Sequence, residues 1–589
     1  SPRLEYQTLR SPANIHASSE QTGYPAAAVF GGGSLTTWKP APWDDKPWWQ
    51  MDFGRSLRFG GLVIHWPEPL PPRTFSVEIS HDGSSWTPVY QAAASVVMTS
   101  HIPTPGAEAK HLRLSFATPA GAALLSLTLR PDAYSHTPNE FIHQVAAESP
   151  RGSFPRYWLR EQSYWTPVGS PEGKRRALIN EEGMIEVDEA GFSLEPFVIS
   201  AGQRITWANV QTTNRLAEDG IPVPSVSWKS DDLELDIQPW VDGEGEALTL
   251  HVTYRLKYNN PAPDTRLIIA VRPFQVNPPW QAFRNLGGIS PIHRISCQAG
   301  HLQVEGRRVE LSPPADAQGA AAFEEGGILW IPASGVMPPR CCLEDKTGYA
   351  SATMAWDLLP GSTAREVTIS LPYFDKGDSL RKESRTEALA RWHRTLHQVE
   401  WQVPACATTA FDCFRTAAGH ILINRDGPAI QPGPRRYTRS WVRDCVIMGA
   451  ALAKAGLPDA LREFLTWYAP FQRDDGFVPC VVDREGIDWL VEHDSHGQFL
   501  WGVREVMRGN GDPAFLQSMI PCVTRAADYL IALRRERMTP EYQQGDLAAC
   551  YGLLPESASH EGYLAHPVHS YWDDFWGIRG LEAAADLAK

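Results

Sequence analysis

Cysteine is missing from the first 296 residues, and only nine follow: Cys297, Cys341, Cys342, Cys406, Cys413, Cys445, Cys480, Cys522 and Cys550. No two stand in C-x-x-C spacing, which argues against a structural zinc site or a thioredoxin-like motif. An odd number leaves at least one thiol unpaired, so the expectation is buried free thiols. Basic charge is also short, with 54 Lys and Arg against 68 Asp and Glu and a net charge of −14. Nucleic-acid binding needs clustered Lys and Arg on phosphates, so no nucleic-acid partner is expected, nor docking on anionic lipid. No apolar run approaches the roughly 20 residues of a membrane span. No phosphate loop, nucleotide fingerprint or G-x-S-x-G elbow stands out, so no cofactor is expected. The first residue is Ser1 rather than Met, and any signal peptide is read as removed or outside this chain.

What is present is length and tryptophan. The 589 residues suffice for three to five domains at roughly 100–200 residues each. There are 22 Trp and 49 Pro. Residues 1–133 read as all-β, with short alternating runs such as Leu62–Trp66, Phe75–Ile79 and Leu112–Leu114, and an Asp-Gly turn at Asp82-Gly83. Residues 134–377 read as a second β-rich region of a size suited to a large sandwich. Leu248, Leu250, Val252, Tyr254 and Leu256 alternate, and Leu267–Val271, Gly327–Ile331 and Val367–Leu371 are further strands.

The period then changes from two to helical. Leu389, Trp392, Leu396 and Val399 mark an amphipathic linker helix within 378–402. Six more helices follow in 403–589. Their apolar stripes are Phe411-Phe414-Ala418-Ile421, a run over 443–455, Leu461-Phe464-Leu465-Tyr468, Phe499-Leu500-Val503-Met507, Phe515 to Ile531, and Phe575-Ile578-Leu581-Ala585. The helical array suggests an α/α arrangement.

Charged and aromatic residues concentrate where these helices join: Tyr437–Asp444, Asp474–Asp483, Glu492–Gln498, Pro555–Tyr563 and His569–Trp576. Carboxylates accept paired hydrogen bonds from sugar hydroxyls, aromatic faces cover the apolar side of a pyranose, and glycoside cleavage needs two carboxyl groups. The expected partner is therefore an oligo- or polysaccharide; oligomeric state is not legible. His493, His496, His560, His566 and His569 raise the question of a metal, but His566 and His569 stand three apart rather than at helical i, i+4 spacing, Pro567 disrupts that stretch, and none is expected.

The first segment resembles a discoidin (coagulation factor 5/8 type C) domain. The matching stretches are Ala13–Ser19, Tyr24-Pro25, Gly31–Gly33, Thr37-Trp38, Trp48–Gly54, Ile79–Gly83 with Trp86, and His111–Leu114. The resemblance implies glycan or membrane-surface binding through loops at one end, with Trp43 and Trp48 as candidate loop aromatics, and work outside the cytoplasm, extracellular or periplasmic. The cysteines that often tie such domains are absent.

A β-sandwich, a linker helix and a helical domain together resemble glucoamylase-like (α/α)6-toroid glycosidases. Ser440-Trp441-Val442-Arg443-Asp444 is similar to the Trp-x-Arg-Asp stretch that opens the second toroid helix. The match implies that Arg443 and Asp444 bind sugar hydroxyls and that Trp441 lines the pocket. His569–Trp576 is similar to the segment where the general acid follows a Trp. That implies Asp573 as acid, with Asp574 second and Glu556 and Glu561 as competitors. Glu492, His493, Asp494, Tyr571 and Trp572 complete the expected substrate site. All the acids at helix starts also suit a plain first-turn role against the helix dipole. Acting near neutral pH, Asp573 needs a raised pKa, from burial against Trp572 or repulsion by Asp574.

The expected architecture is thus a discoidin-like sandwich, a large central sandwich and a toroid-type helical domain of which only the first half is read here. The general base is expected beyond residue 589. The expected function is an exo-acting, inverting glycoside hydrolase. One alternative is a polysaccharide lyase, with Arg443 neutralising a uronate and Tyr571 or His569 as base. The other is a non-catalytic glycan-binding surface protein.

Overall fold

The computed structural model describes residues 14–30, 37–67, 72–281, 286–326, 337–338, 340–373, 383–562 and 564–589. The Gly31–Gly33 turn, the 327–331 strand and Tyr563 lie outside the described residues.

The N-terminal segment is one antiparallel six-stranded sheet curled on itself. Its spatial order is Asn14–Ala17, Trp48–His65, Thr99–Phe116, Arg73–Ser80, Thr87–Ser95, with Ser126–Arg130 on the other side of Trp48–His65. The two long strands slip register between Asp52 and Leu57 and again between Phe59 and Gly61. Such bulges bend a strand and let one sheet wrap around a single core. Trp38, Trp49 and Trp66 fill that core fully buried. Each indole N–H has a partner: Ser19 O at 3.1 Å, Ala26 O at 3.1 Å and Ser100 Oγ at 2.8 Å. Burial of a large apolar ring is then not offset by an unsatisfied donor.

The central region is a two-sheet sandwich of eight and nine strands. Leu248, Leu250, Val252, Tyr254 and Leu256 all point into the core from strand Ala247–Tyr258, meeting Leu267, Ile269 and Val271 of strand Arg266–Arg272 in the same core. The period-two reading holds there because one face of each sheet is covered by the other. One helix in this region was not anticipated, α1 (Pro138–Ala147). Its Thr137 cap accepts the Glu140 N–H at 3.1 Å and Pro138 begins it, a helix-start signature that the surrounding strand patterns obscured.

The two β regions are docked on each other. Glu324, buried in the central region, accepts hydrogen bonds from Tyr90 Oη at 3.1 Å and Ser100 Oγ at 2.8 Å. At a second contact Gly60 and Gly61 admit the backbone of Asp132 and the ring of Tyr134 so closely that any side chain there would collide.

The helical region follows: α2 (Arg385–Leu396), α3 (Thr408–Ile423), α4 (Val442–Lys454), α5 (Asp459–Tyr468), α6 (Asp494–Asn510), α7 (Pro513–Glu536) and α8 (Tyr571–Leu587). α2 buries Trp392 and Leu396 as its pattern predicts, while Val399 lies past its end and is exposed. α6 is the hub and packs against α4, α5, α7 and α8.

Two expectations need correction. The stripe Phe575-Ile578-Leu581-Ala585 is not the buried face of α8: Phe575 and Ile578 are exposed, and the buried residues are Asp573, Gly577, Gly580 and Ala583. The reason is backbone contact. A Cβ on Gly497 of α6 would lie 2.0 Å from Trp576 O, and one on Gly580 would lie 2.4 Å from Gly497 Cα. Two helices that touch at glycines turn their small residues inward and their large ones out. The cysteines are all free, as expected, but not all buried: Cys341, Cys342, Cys406 and Cys413 are exposed.

The Gly497–Gly580 crossing generates a test. Gly497→Ala forces the two backbones apart, and overpacking of this kind costs about 1–3 kcal/mol. Urea unfolding of the variant shows a lower midpoint with an unchanged slope; a midpoint equal to the parent's contradicts the crossing.

Candidate functional site

Three helix starts converge at one place. A short three-stranded sheet brings them together: Ser440-Trp441 pairs with Val481–Asp483, which pairs with Gly486–Asp488. This fixes the start of α4 beside the loop that leads into α6. Arg439, just before the pairing, grips Asp483 at 2.8 Å and Asp488 at 2.9 Å across the hairpin. α8 arrives through its glycine crossing on α6.

Arg443 in the first turn of α4 is the centre. Its Nη1 donates to Glu492 Oε2 at 2.9 Å and to Asp494 Oδ2 at 3.3 Å, while its Nε stands 3.7 Å from Asp444 Oδ2. The same Asp494 Oδ2 accepts the Trp572 indole N–H at 2.8 Å and Gln498 Nε2 at 2.7 Å. Arg443, Glu492, Asp494 and Trp572 therefore form one connected network. Asp444, half-buried, turns its carboxylate away from the tight contacts; burial raises its pKa, against the attraction of Arg443.

Asp573 and Glu492 are the perturbed acids. Asp573 is 1% exposed and accepts Ser557 Oγ at 2.6 Å on Oδ2. Its Oδ1 has no hydrogen bond of good geometry, although the His493 N–H is near enough to favour the ionised form. Burial pushes Asp573 up to about 7, the Ser557 hydrogen bond opposes this, and repulsion from Asp494 and Asp574 adds to it. Glu492, 4% exposed, is likewise pushed up to about 7, by burial and by Asp494, against the pull of Arg443. Both carry a proton much of the time near neutrality, the state a general acid requires.

The other expected residues are placed as follows. Asp574 is half-buried, accepts the Leu554 N–H at 2.8 Å, and is raised by burial. Glu556 is exposed and held by Arg537 at 2.6 Å and His569 Nε2 at 3.2 Å, which keep its pKa low. Glu561 is exposed beside His560 at 3.1 Å. The structure thus brings neither Glu556 nor Glu561 into the Arg443 network. His493 is buried with its Nδ1 unpartnered, and burial pushes it down to about 4, so it is neutral at pH 7. Trp441 is half-buried, 6.3 Å from the exposed Tyr437 ring. Tyr571 is exposed at the head of α8, and the Trp572 ring lies 4.6 Å from that of His560. Among the described residues no three His, Cys, Asp or Glu side chains are placed to hold a metal.

The sequence reading gave no role to Gln498, Ser557 or Arg439. Gln498 stands four residues after Asp494, so helical spacing predicts their contact. Nothing in sequence marks Ser557 as the partner of Asp573, because the contact spans a loop.

In the N-terminal sheet, Trp43 stands 75% exposed in a loop. The loop is pinned from below: Asp44, nearly buried, accepts Ser19 Oγ at 2.6 Å and also the Ser18 hydroxyl, while Ala41 N donates to Ser19 Oγ at 2.9 Å. Trp48 differs from the loop expectation. It opens a strand and Arg113 covers its face, with the guanidinium carbon 4.7 Å from its ring and 3.8 Å from that of Trp86.

Comparison with known proteins assigns residues 14–127 to the F5/8 type C domain family. No curated protein matches the chain in sequence. Among solved structures, a bacterial glucoamylase complexed with acarbose is similar at 10% identity, over 72% of this chain and 66% of that one, just short of two thirds, with a TM-score of 0.48. Chitosan-binding module 1 from the chitosanase/glucanase of Paenibacillus sp. IK-5 matches at 24% identity over 21% of this chain and 98% of its own, with a TM-score of 0.19. The family 32 CBM of C. perfringens NanJ, in complex with galactose, matches at 14% identity over 20% of this chain and 91% of its own, with a TM-score of 0.18.

The raised pKa of Asp573 makes stability fall with pH. An unfolded Asp titrates near ~3.9, so between about 4 and about 7 the folded state keeps a proton that the unfolded state releases. The contribution is full below that window and is lost as pH rises through about 7, by at most about 1.4 kcal/mol per pH unit. Asp573→Asn removes this share. The variant shows a flatter fall in unfolding free energy from pH 5 to pH 8; a slope equal to the parent's contradicts the assignment.

Proposed function

We propose that the chain is the carbohydrate-active part of a glycoside hydrolase, exo-acting and inverting, working outside the cytoplasm. The observation that supports this most is that two buried carboxyl groups pushed to about 7, Asp573 and Glu492, lie beside the same Asp494 where three helix starts meet, with Arg443 on Glu492 and Asp494. In this reading Asp573 protonates the glycosidic oxygen. Its Oδ1 is the oxygen left without a good hydrogen bond, while Ser557 holds the other. Arg443 and Asp444 bind hydroxyls of the terminal sugar, as the likeness of Ser440–Asp444 to the glucoamylase stretch implies. Asp494 positions both Arg443 and Trp572 rather than touching the sugar, since it is fully buried and its Oδ2 is taken three times over. Glu556 and Glu561 have no part in the proton transfer. An inverting mechanism also needs a base on the opposite face of the sugar.

Asp573→Asn lowers reducing-sugar release from oligosaccharides by at least about a hundredfold with the fold intact, the size expected for a lost general acid. Near-normal turnover in that variant removes Asp573 from the chemistry.

The exposure of Trp43 favours a second, compatible reading, that the F5/8 type C domain holds glycan. An indole kept in water by a pinned loop is a ready stacking face for a sugar. Trp43→Ala weakens glycan retention on affinity electrophoresis at least tenfold with the melting temperature unchanged; equal retention rejects the role of Trp43.

A further inference from the structure

A cavity of about 460 Å3 lies between the central sandwich and the loop leading into α4. Six cations line it: Lys174, Arg175, Arg176, Arg307, Arg435 and Arg484. Most are matched. Asp188 takes Arg175 at 2.9 Å and Arg307 at 2.7 Å, Asp426 takes Arg484 at 3.0 Å, and Glu246 takes Lys174 at 2.8 Å. Two are not. Arg176 is 4% exposed and has no ion pair among the described residues; it donates only to Gln431 Oε1 at 2.9 Å and Arg425 O at 3.4 Å, and its Nε has no acceptor. Arg435 is 2% exposed. Its Nε reaches Glu186 at 2.7 Å, but Nη1 and Nη2 have no acceptor among the described residues.

Buried donors are nearly always satisfied, and a buried charge without a partner is strongly unfavourable. Two guanidinium groups that share one cavity and keep three nitrogens free are a fork for an oxyanion. Of the lining carboxylates, Asp188, Glu246 and Asp426 are held by other cations, and Glu189 stands 3.9 Å from Arg484 with no hydrogen bond to either guanidinium. We propose that this cavity binds a small ligand bearing an oxyanion, carboxylate or phosphate, gripped by the Arg435 fork and Arg176. The volume suits a ligand of monosaccharide size, within the roughly 300–1,000 Å3 of ordinary ligand pockets. None of its lining residues is a partner of Arg443, so it stands apart from the proposed hydrolase site.

Thermal unfolding of the whole chain tests it, with sodium phosphate and sodium galacturonate at millimolar concentration against sodium chloride of matched ionic strength. A ligand that binds the folded state raises the melting temperature. The expected result is a rise above chloride with at least one of the two, which Arg176→Met reduces to the chloride baseline. Response to phosphate alone identifies a phosphate ligand, and response to galacturonate alone a sugar carboxylate. No rise above chloride with either, or an undiminished rise in Arg176→Met, overturns the proposal. Should that variant fail to fold, crystals of the unaltered protein soaked in selenate decide. Anomalous density between Arg176 and Arg435 supports the site, and density elsewhere or nowhere overturns it.

Discussion

Three carboxyl groups buried within reach of one another cannot all stay ionised, and the helical region is arranged around that constraint. Asp494 adds to the burial that pushes Glu492 and Asp573 up, and among the described residues Arg443 is the cation that reaches Glu492 and Asp494. The arginine can serve two of them because it stands at the start of α4, beside the loop that begins α6. That placement depends on the small sheet pairing Ser440-Trp441 with Val481–Asp483. The third acid, on α8, is served by a hydroxyl instead and keeps its proton near neutrality. Glu492 is pushed to about 7 even with the guanidinium 2.9 Å away, so burial outweighs that pairing.

Alternation and helical periodicity were legible wherever a single face is buried. Leu248 to Leu256 and Leu461 to Tyr468 fall in the core as their spacing requires. Periodicity failed on α8, where large apolar residues turn to solvent, because Gly497 and Gly580 let two backbones meet and contact distance outweighs side-chain hydrophobicity. α1 was hidden for another reason: it is a ten-residue helix inside a region whose dominant period is two. In the candidate site, the joins rich in Asp, Glu and Trp do bring Arg443, Glu492, Asp494, Trp572 and Asp573 near one another. Glu556 and Glu561 share that composition but face Arg537 and His560. Composition reports which residues are near a helix start, not which way the loop turns them.

Tryptophan divides by the fate of its N–H. Trp38, Trp49 and Trp66 find an acceptor inside the first core, and Trp572 finds one on a carboxylate at the site. Trp43 has its loop tied down by Asp44, so its exposure follows from the loop rather than from a lack of room.

The seating of the N-terminal sheet on Glu324 and on the two glycines at 60 and 61 has a geometric consequence. A module on a slack tether sweeps a sphere, and its local concentration is set by tether length. One clamped through buried hydrogen bonds and backbone contact has a single bearing. Trp43 is therefore carried on a sheet that keeps one fixed direction relative to the central sandwich.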